Sequence, residues 1–346
     1  MTNALHDRSS AITRKGPLMN PISRRRFVTG LGAGAALVTM GRAAAAEPVT
    51  LKFATNDTTQ DTSYAIAQRF GEELAKRTEG RYRVQVYVGG SLGSGVNVAS
   101  SLQTGIVDCA ILTAGFLASL IPSIQVVDLP FLFKDRAAAE RALDGEVGNR
   151  IFAEAQSRNV VGLSWGWYGW RQVETRDKPV TRPDDLKGLK MRIQPSPVFA
   201  AMFRALGAQP TVMDGSEVYL ALSQKVVDGV EFPLPTVVTF KMFEVTKYIA
   251  LTNHVYNAGV LVASKARWDA MAPADRQAMQ AAATAVRAQW RDDIGTAADK
   301  AAQFCKDKGM QVTQTDYEAF RAKMEPVYDE FRPKYPELLK MIMAQR

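Results

Sequence analysis

Strand-like and helix-like patterns alternate along the first part of this sequence. Residues 49–54 and 81–88 alternate apolar and polar side chains as strands do, and 106–112 is a short apolar run. Apolar residues at helical spacing over 64–78 separate the first two, and a glycine-rich turn at 89–95 leads into a second helix. Parallel strands need such crossover connections. The sequence therefore predicts α/β construction with parallel strands.

Further apolar runs extend this pattern through the rest of the chain. The runs at 160–165, 190–193, 226–232 and 260–263 predict four more strands. Residues 272–308 are rich in alanine, glutamine and charged residues, which are good helix formers. We therefore expect one or two long helices near the end of the chain.

The first 46 residues predict an export signal rather than part of the fold. The motif Ser23-Arg24-Arg25-Arg26-Phe27 begins an apolar run that ends near residue 40, and four alanines follow at 43–46. This order of charged, apolar and small residues is that of a signal peptide, and the twin arginine favours the Tat route. The run is shorter than the roughly 20 apolar residues that span a bilayer. An uncleaved N-terminal anchor is the alternative. We expect cleavage near Ala46 and a soluble periplasmic chain of about two domains.

Most of the excess positive charge belongs to that signal. The chain has 43 Lys and Arg against 35 Asp and Glu, a net charge of +8. Seven of the basic residues and one acidic residue lie in 1–46, which leaves 36 basic and 34 acidic residues, a net charge of +2. Composition therefore no longer supports nucleic-acid binding by the mature chain, and we expect no nucleic-acid partner.

Histidine is too scarce to predict a catalytic centre. Only His254 remains after residue 46, and a hydrolytic triad needs a histidine beside its nucleophile. Zinc needs three or four clustered ligands, which the sequence does not offer. The glycine-rich turn lacks the Gly-Lys-Ser/Thr ending of a P-loop and the spacing of a dinucleotide fingerprint. The sequence therefore predicts no metal and no cofactor.

The two cysteines leave one question open. Cys109 lies in an apolar run and is typical of a small buried residue. Export would permit a disulfide with Cys305, but sequence does not place the two Cα atoms within bonding distance. Both the free and the bridged state remain possible at this stage.

The most informative single residue is Arg192, which lies in the apolar run Lys190-Met191-Arg192-Ile193. A guanidinium in such a run needs a partner, and its planar fork matches a carboxylate. That partner is either an anionic ligand or an Asp or Glu of the same protein, and the pattern does not decide between them. Residues 165–171 add three of the five tryptophans beside Arg171, a composition that suits either a ligand pocket or a core.

Five motifs make the sequence recognisable. In order along the chain they are Lys187-Gly188-Leu189-Lys190-Met191-Arg192, Leu206-Gly207-Ala208-Gln209-Pro210-Thr211, Ser216-Glu217-Val218-Tyr219-Leu220-Ala221-Leu222, Val227-Asp228-Gly229-Val230-Glu231 and Leu251-Thr252-Asn253-His254. This set resembles the extracytoplasmic solute receptors of tripartite ATP-independent periplasmic (TRAP) transporters, the DctP-like family. The resemblance covers the whole mature chain.

The resemblance implies a two-lobed fold of the periplasmic-binding-protein type. The ligand cleft lies between two α/β lobes, and a long helix connects them. One lobe would comprise residues 47–168 and 258–297, and the other 169–257 and 298–346. The protein would be a monomeric binding protein and not an enzyme, and it would work with small and large integral membrane subunits of a TRAP transporter.

The resemblance also implies a set of ligand-binding residues. Arg192 corresponds to the arginine that pairs with the ligand carboxylate, and Arg171 to a second ligand-facing arginine. Asn56 and Thr113 fall at cleft positions of the first lobe. The further residues expected to line the pocket are Trp167, Tyr168, Trp170, Phe232 and Gly215.

Two positions depart from the common pattern of the family. Phe232 stands where many relatives carry an asparagine that helps to hold the carboxylate, so one hydrogen-bond donor is absent. Gly215 stands where relatives often have an aromatic residue, which opens space. Relatives with an aromatic residue at the first position bind keto acids or other monocarboxylates, so specificity for C4-dicarboxylates or sialic acid is not implied.

The sequence thus predicts a receptor that closes over a small organic acid and delivers it to a TRAP-type secondary transporter. A periplasmic enzyme that acts on a carboxylate is one alternative. A ligand-sensing partner of a membrane receptor is another. The identity of the acid remains open.

Overall fold

Ten strands form one continuous sheet in the computed structural model, which describes residues 47–345. The strands are β1 (Val49–Thr55), β2 (Tyr82–Tyr87), β3 (Cys109–Thr113), β4 (Val160–Thr175), β5 (Lys190–Ile193), β6 (Gln209–Val212), β7 (Gly229–Pro233), β8 (Tyr248–Leu251), β9 (Tyr256–Ser264) and β10 (Gln311–Gln314). All seven predicted strands are present within this set.

Helices connect the strands of the sheet and follow its last strand. They are α1 (Thr62–Arg77), α2 (Gly95–Thr104), α3 (Ala114–Leu117), α4 (Arg136–Asp144), α5 (Glu146–Ser157), α6 (Pro197–Ala205), α7 (Val218–Ser223), α8 (Leu234–Thr239), α9 (Lys265–Ala270), α10 (Pro273–Asp307), α11 (Tyr317–Ala322), α12 (Glu325–Phe331) and α13 (Pro336–Met343). Short 3-10 helices lie at Pro122–Asp128, Pro183–Leu186, Gly215–Glu217 and Met242–Glu244. No helix among residues 47–345 is long and apolar enough to span a membrane.

The strand order divides the sheet into two lobes. Along the sheet the order is β2-β1-β3-β9-β4-β7-β5-β6, and β8 joins β4 to β10. Strand β1 pairs in parallel with β2 and β3, and β5 pairs in parallel with β6 and β7. Between these parallel groups, β9 and β4 run antiparallel to their neighbours. We call the group of β1, β2, β3 and β9 the first lobe and the group of β5 to β8 and β10 the second lobe.

Strand β4 belongs to both lobes and is much longer than the predicted run at 160–165. Its first part pairs with β9 as far as Trp170, and residues 171–175 pair with β7. The register shifts between Trp167 and Trp170, where Gly169 has a φ of 111°, a conformation that favours glycine. The chain therefore passes from one lobe to the other at this bulge. The predicted lobe boundaries stay a prediction, although one of them falls at Gly169.

Helix α10 is a single helix of 35 residues that connects the two lobes. Val286, Trp290 and Ile294 pack in the core that contains β1, β3 and β9. Ala301 and Cys305 pack instead with side chains of β7 and β8 in a second core. The prediction of a two-lobed fold with a long connecting helix is therefore confirmed.

Two glycines form a slot for the indole of Trp290. Gly166 of β4 and Gly259 of β9 are directly paired across the two strands. A Cβ atom on Gly166 would lie 2.1 Å from Cε3 of Trp290, and one on Gly259 would lie 2.5 Å from its Cζ2. The absence of side chains lets the helix approach the sheet closely enough to bury the indole completely.

We expect Gly166→Ala to destabilise the fold by about 1–3 kcal/mol, because the new methyl group overpacks a rigid indole. Urea unfolding would measure the loss. Ala288→Ser, an exposed change on the same helix, provides the control. A Gly166→Ala protein as stable as this control would show that the helix shifts freely over the sheet.

Both cysteines are buried and free. Cys109 lies in β3 and Cys305 in the last turns of α10, in different apolar cores. The structure therefore favours the unbridged state that the sequence left open. The predicted Tat signal at 1–46 lies outside the described residues.

Candidate functional site

Arg192 lies on β5 and is almost completely buried, with 1% of its surface exposed. Its Nε and Nη2 atoms donate to the carbonyl oxygen of Met213 at 2.9 and 2.7 Å. Its Nη1 atom is buried and has no hydrogen-bond partner among the described residues. Within the described part of the chain Arg192 also forms no ion pair, so the alternative of an internal salt bridge is wrong for this residue. An orphaned buried donor of this kind is costly unless a ligand completes it.

Burial lowers the pKa of Arg192 to about 10, because the charged form is poorly solvated there. Glu231 opposes this shift. The guanidinium therefore still carries its positive charge at neutral pH. The site therefore offers an anion a desolvated guanidinium whose Nη1 nitrogen is free to donate. Hydrogen bonds from a charged donor to a charged acceptor are stronger than those between neutral groups.

Arg171 has the internal partner that Arg192 lacks. Its Nε and Nη2 atoms donate to the two carboxylate oxygens of Glu231, and both residues are buried. Glu231 lies on β7 beside the second-lobe part of β4. Arg171 and Arg192 line one cavity between the lobes, but Glu231 balances the positive charge of Arg171. The expectation that Arg171 faces the ligand thus needs a qualification, since two of its donor nitrogens are already in use.

Further buried polar groups surround this ion pair. Nε2 of His254 lies 3.6 Å from a Glu231 oxygen, and its Nδ1 lies 2.8 Å from the hydroxyl of Thr252. Burial lowers the pKa of His254, and it opposes ionisation of Glu231, but Arg171 and His254 hold the pKa of Glu231 below its ordinary value. His254 therefore helps Arg171 to stabilise the ionised carboxylate of Glu231.

The ring of Phe232 lies close to both arginine side chains. The Cζ atom of Arg192 lies 5.0 Å from the centre of the Phe232 ring, and that of Arg171 lies 5.7 Å from it. A second ring, Phe199, lies 5.1 Å from Arg171. Cation–π contacts of this kind stabilise a desolvated guanidinium without using a hydrogen-bond donor. Phe232 thus leaves Nη1 of Arg192 available to a ligand.

A cavity of about 40 Å³ lies beside these groups. Seven of the nine predicted site residues line it. They are Asn56, Thr113, Tyr168, Arg171, Arg192, Gly215 and Phe232. Among the residues that the structure describes, no cluster of His, Cys, Asp and Glu could hold a metal ion.

The other two predicted residues, Trp167 and Trp170, do not line this cavity. Trp167 stacks on Tyr256 with ring centres 5.5 Å apart, and Trp170 meets the same ring edge-on at 5.6 Å. Arg136 lies over the Trp167 ring at 5.2 Å. The tryptophans therefore belong to a packed aromatic cluster. Strand alternation turns Trp167 and Tyr168 to opposite faces of the sheet, and the register shift between Trp167 and Trp170 returns Trp170 to the face of Trp167.

Sequence reasoning missed several polar residues of the cavity. Gln194, Asp57 and Asn257 line it, and the buried Nε2 of Gln194 and Oδ1 of Asn257 have no partner among the described residues. The same holds for Oδ1 of Asn56. Gln194 stands two residues after Arg192, so strand alternation could have indicated it. Asn257 lies in β9 three residues before the predicted run at 260–263, so the sequence gives no comparable signal for it.

Three hydrogen bonds join the lobes around the cavity. The hydroxyl of Thr113 donates to Oε1 of Gln194 at 2.8 Å, and the Gly95 amide donates to Asp214 at 3.1 Å. The hydroxyl of Thr239 donates to Asp61 at 2.6 Å. In each pair one residue belongs to the first lobe and the other to the second. The structure therefore represents a closed arrangement of the lobes.

Asp61 makes the stability of this arrangement depend on pH. Burial, with a further contribution from Asp57, raises the pKa of Asp61 to about 7. Such a group binds more protons in the folded state than in the unfolded state. Its stabilising contribution is therefore complete below pH 3.8, the ordinary value, and is lost as the pH rises through about 7.

We expect the wild type to lose about 1–3 kcal/mol relative to Asp61→Asn between pH 5 and pH 8, because the variant has no carboxyl group to titrate there. Urea unfolding without ligand at both pH values measures the difference. Glu72→Gln, an exposed change on α1, is the matched control. Equal pH dependence in the wild type and Asp61→Asn would contradict the assignment.

Two α/β lobes that close over a buried cation define a solute-binding protein. The family described as bacterial extracellular solute-binding protein, family 7, matches residues 53–334 of this chain. The chain belongs to this family, which confirms its resemblance to the TRAP receptors. The members are substrate-binding proteins and not enzymes, so the prediction of a non-enzymatic function is confirmed as well.

Individual relatives cover nearly the whole chain. The C4-dicarboxylate-binding periplasmic protein DctP of Rhodobacter capsulatus is 34% identical over 318 residues, which are 89% of this chain and 94% of the relative. The 2,3-diketo-L-gulonate-binding periplasmic protein of Escherichia coli is 32% identical over 296 residues, 85% of this chain and 90% of the relative. A TRAP periplasmic solute-binding protein from Polaromonas, solved with bound D-erythronate, superposes with a TM-score of 0.84 at 30% identity, covering 86% of this chain and 98% of that one.

Proposed function

We propose that this protein is an extracytoplasmic receptor that binds a small hydroxylated monocarboxylate in the cavity between its lobes and delivers it to a TRAP-type secondary transporter. The observation that carries this proposal is the buried Nη1 of Arg192, a charged donor without a partner among the described residues. A ligand carboxylate would complete the hydrogen bonding of this guanidinium.

The charge of the site favours one carboxylate rather than two. Glu231 neutralises Arg171, so the two arginines of the cavity offer about one uncompensated positive charge. A second ligand carboxylate would be buried without a counter-charge, which is unfavourable. The C4-dicarboxylate named for the Rhodobacter capsulatus relative is therefore the less suitable ligand chemistry here.

The remaining polar atoms of the cavity favour hydroxyl groups on the ligand. Nε2 of Gln194 is a free donor, and Oδ1 of Asn56 and of Asn257 are free acceptors. A hydroxyl group can satisfy either kind of atom, because it donates and accepts. The diketogulonate and D-erythronate named for two relatives are acids with such groups.

The other predicted residues take supporting roles in this proposal. Arg171 and Phe232 lie beside Arg192, where the ligand carboxylate would bind, and Phe232 stabilises the charge of Arg192 by its cation–π contact. Thr113 orients the side-chain amide of Gln194 through a hydrogen bond between the two lobes. Tyr168 and Gly215 shape the wall. Closure would move the lobe of 47–168 and 258–297 against that of 169–257 and 298–346. The protein would work as a periplasmic monomer exported through its twin-arginine signal, and small and large membrane subunits would receive the ligand.

Binding measurements with matched probes test the proposal. Isothermal calorimetry and thermal shift would compare the aldonic acids D-erythronate and D-gluconate with the corresponding alditols, erythritol and sorbitol, which lack the carboxylate. We expect at least one aldonate to bind and to raise the unfolding temperature through linkage, and its alditol not to. Equal binding of an alditol and its aldonate would overturn the proposal. Transport is tested separately by uptake into vesicles that contain the membrane subunits and an ion gradient.

A further inference from the structure

Asp57 is an acidic residue of the cavity lining that the proposed function does not use. It follows β1 and enters the cavity from the first lobe. Its Oδ2 atom accepts three hydrogen bonds, from the hydroxyls of Thr55 at 3.0 Å, Ser63 at 2.5 Å and Tyr168 at 2.7 Å. Its Oδ1 atom accepts no hydrogen bond from the described residues. One oxygen of this carboxylate is therefore fixed by the protein, and the other is available at the cavity.

All three groups that hold Asp57 are uncharged hydroxyls. No arginine or lysine of the described chain forms an ion pair with it, and Asp61 and Asp214 add negative charge nearby. Burial raises the pKa of Asp57, while its three hydrogen bonds favour the ionised form. The first-lobe end of the cavity therefore presents a carboxyl oxygen without a cationic partner, whereas the other end presents the guanidinium of Arg192.

We propose that Asp57 determines specificity at the end of the ligand remote from Arg192, where it accepts a hydrogen bond from a hydroxyl group and excludes a second carboxylate. This inference rests on the proposed function, since it assumes that a carboxylate occupies the Arg192 end. It explains how a family that includes a dicarboxylate-binding relative can here favour a ligand with a neutral, hydrogen-bond-donating tail. Tyr168 acts as a positioning residue, because its hydroxyl orients the Asp57 carboxylate from the strand that joins the lobes.

The neighbouring acceptor oxygens support the same assignment. Oδ1 of Asn56 lies in the same wall and has no donor among the described residues, while its Nδ2 donates to the carbonyl of Gly93 at 3.5 Å. Asn56 and Asp57 therefore both present oxygen atoms from the end of β1. Two adjacent acceptors match a ligand with hydroxyl groups on adjacent carbons.

Pairs of acids that differ only at the far end test this inference. D-gluconate and D-glucarate share their hydroxylated chain, but glucarate has a carboxylate where gluconate has a terminal hydroxyl. D-erythronate and meso-tartrate form the same kind of pair with four carbons. For the pair whose aldonate binds the wild type, calorimetry at pH 8 should give an affinity at least about 30-fold weaker for the dicarboxylate, since juxtaposed like charges are repelled. A 6-aminohexanoate arm tests whether an ammonium group takes the place of the hydroxyl.

Two variants separate the charge of Asp57 from its structural role. Asp57→Asn keeps the shape and removes the charge, and we expect the preference for the aldonate to fall by about 10-fold or more. Tyr168→Phe removes one of the hydrogen bonds that orient Asp57 and leaves the carboxyl group in place, so the preference should fall less than in Asp57→Asn. Because the wild-type comparison needs no variant, a folding defect in Asp57→Asn would not remove the test.

The outcomes distinguish this inference from the proposed function. Aldarate binding as tight as aldonate binding in the wild type, or an unchanged preference in a folded Asp57→Asn protein, would overturn the role of Asp57 and leave the receptor function standing. Tighter binding of 6-aminohexanoate than of the aldonate would overturn the hydroxyl assignment. If the wild type bound none of the acids, the proposed function would fail and this inference with it.

Discussion

Arg192→Met should weaken binding of the carboxylate ligand by at least about 30-fold, because the variant removes the cation from a buried charge-assisted pair. The ligand-free protein should lose little stability. The variant gives up two hydrogen bonds to Met213, but it also removes a desolvated charge and an unpaired donor. These effects oppose each other, and we expect the free energy of unfolding to change by less than about 2 kcal/mol.

Calorimetry with the best aldonate and urea unfolding without ligand measure the two effects separately. Arg204→Ala, which removes an exposed arginine of α6, is the matched control and should change neither. Arg192→Lys retains the charge but loses the planar fork, so it should fall between the wild type and Arg192→Met. Unchanged affinity in Arg192→Met would remove the basis of the proposed site.

Arg171→Met should have the opposite signature and destabilise the ligand-free protein by about 3–5 kcal/mol, because it leaves Glu231 buried without its partner. Both residues are buried, with 2% and 0% of their side chains exposed. His254 lies close to the same carboxylate and compensates only part of the charge, since burial lowers its pKa. Urea unfolding at pH 7 measures the loss.

The double variant Arg171→Met, Glu231→Leu provides the control for this prediction. Replacing both partners by apolar residues removes the orphaned charge, so much of the lost stability should return. A double variant as unstable as Arg171→Met alone would show that the ion pair is not the cause. A fully stable Arg171→Met protein would show that Glu231 does not depend on Arg171.

The sequence predicted the central elements of the fold because their patterns are local. The run at 190–193 is the whole of β5, and the alternation over 81–88 is β2 with one extra residue at each end. Strands β6 and β10 have four residues each, and polar residues take half or more of these positions, so neither forms an apolar pattern. Strand β8 is apolar throughout and was missed. The antiparallel pairing of β4 and β9 also escaped prediction, since two strands distant in sequence meet there.

The candidate site was less predictable because its chemistry depends on contacts between distant residues. The sequence left an internal salt bridge open as the alternative for Arg192, but Glu231 pairs with Arg171, 60 positions earlier, and Nη1 of Arg192 has no partner among the described residues. Resemblance identified both arginines and did not reveal which of them is neutralised. It also gave no indication of Asp57, whose role depends on three hydroxyls from β1, α1 and β4.

The glycine slot has a mechanical consequence for the connecting helix. The indole of Trp290 anchors the middle of α10 to the first lobe, while Ala301 and Cys305 are embedded in the core of the second. A change in the angle between the lobes must therefore be absorbed between these points. The only glycine of the helix, Gly295, lies in that interval, and glycine is more permissive in its backbone conformation than other residues. We therefore expect the helix to stay fixed to the first lobe at Trp290 and to bend between Trp290 and Ala301 when the angle between the lobes changes.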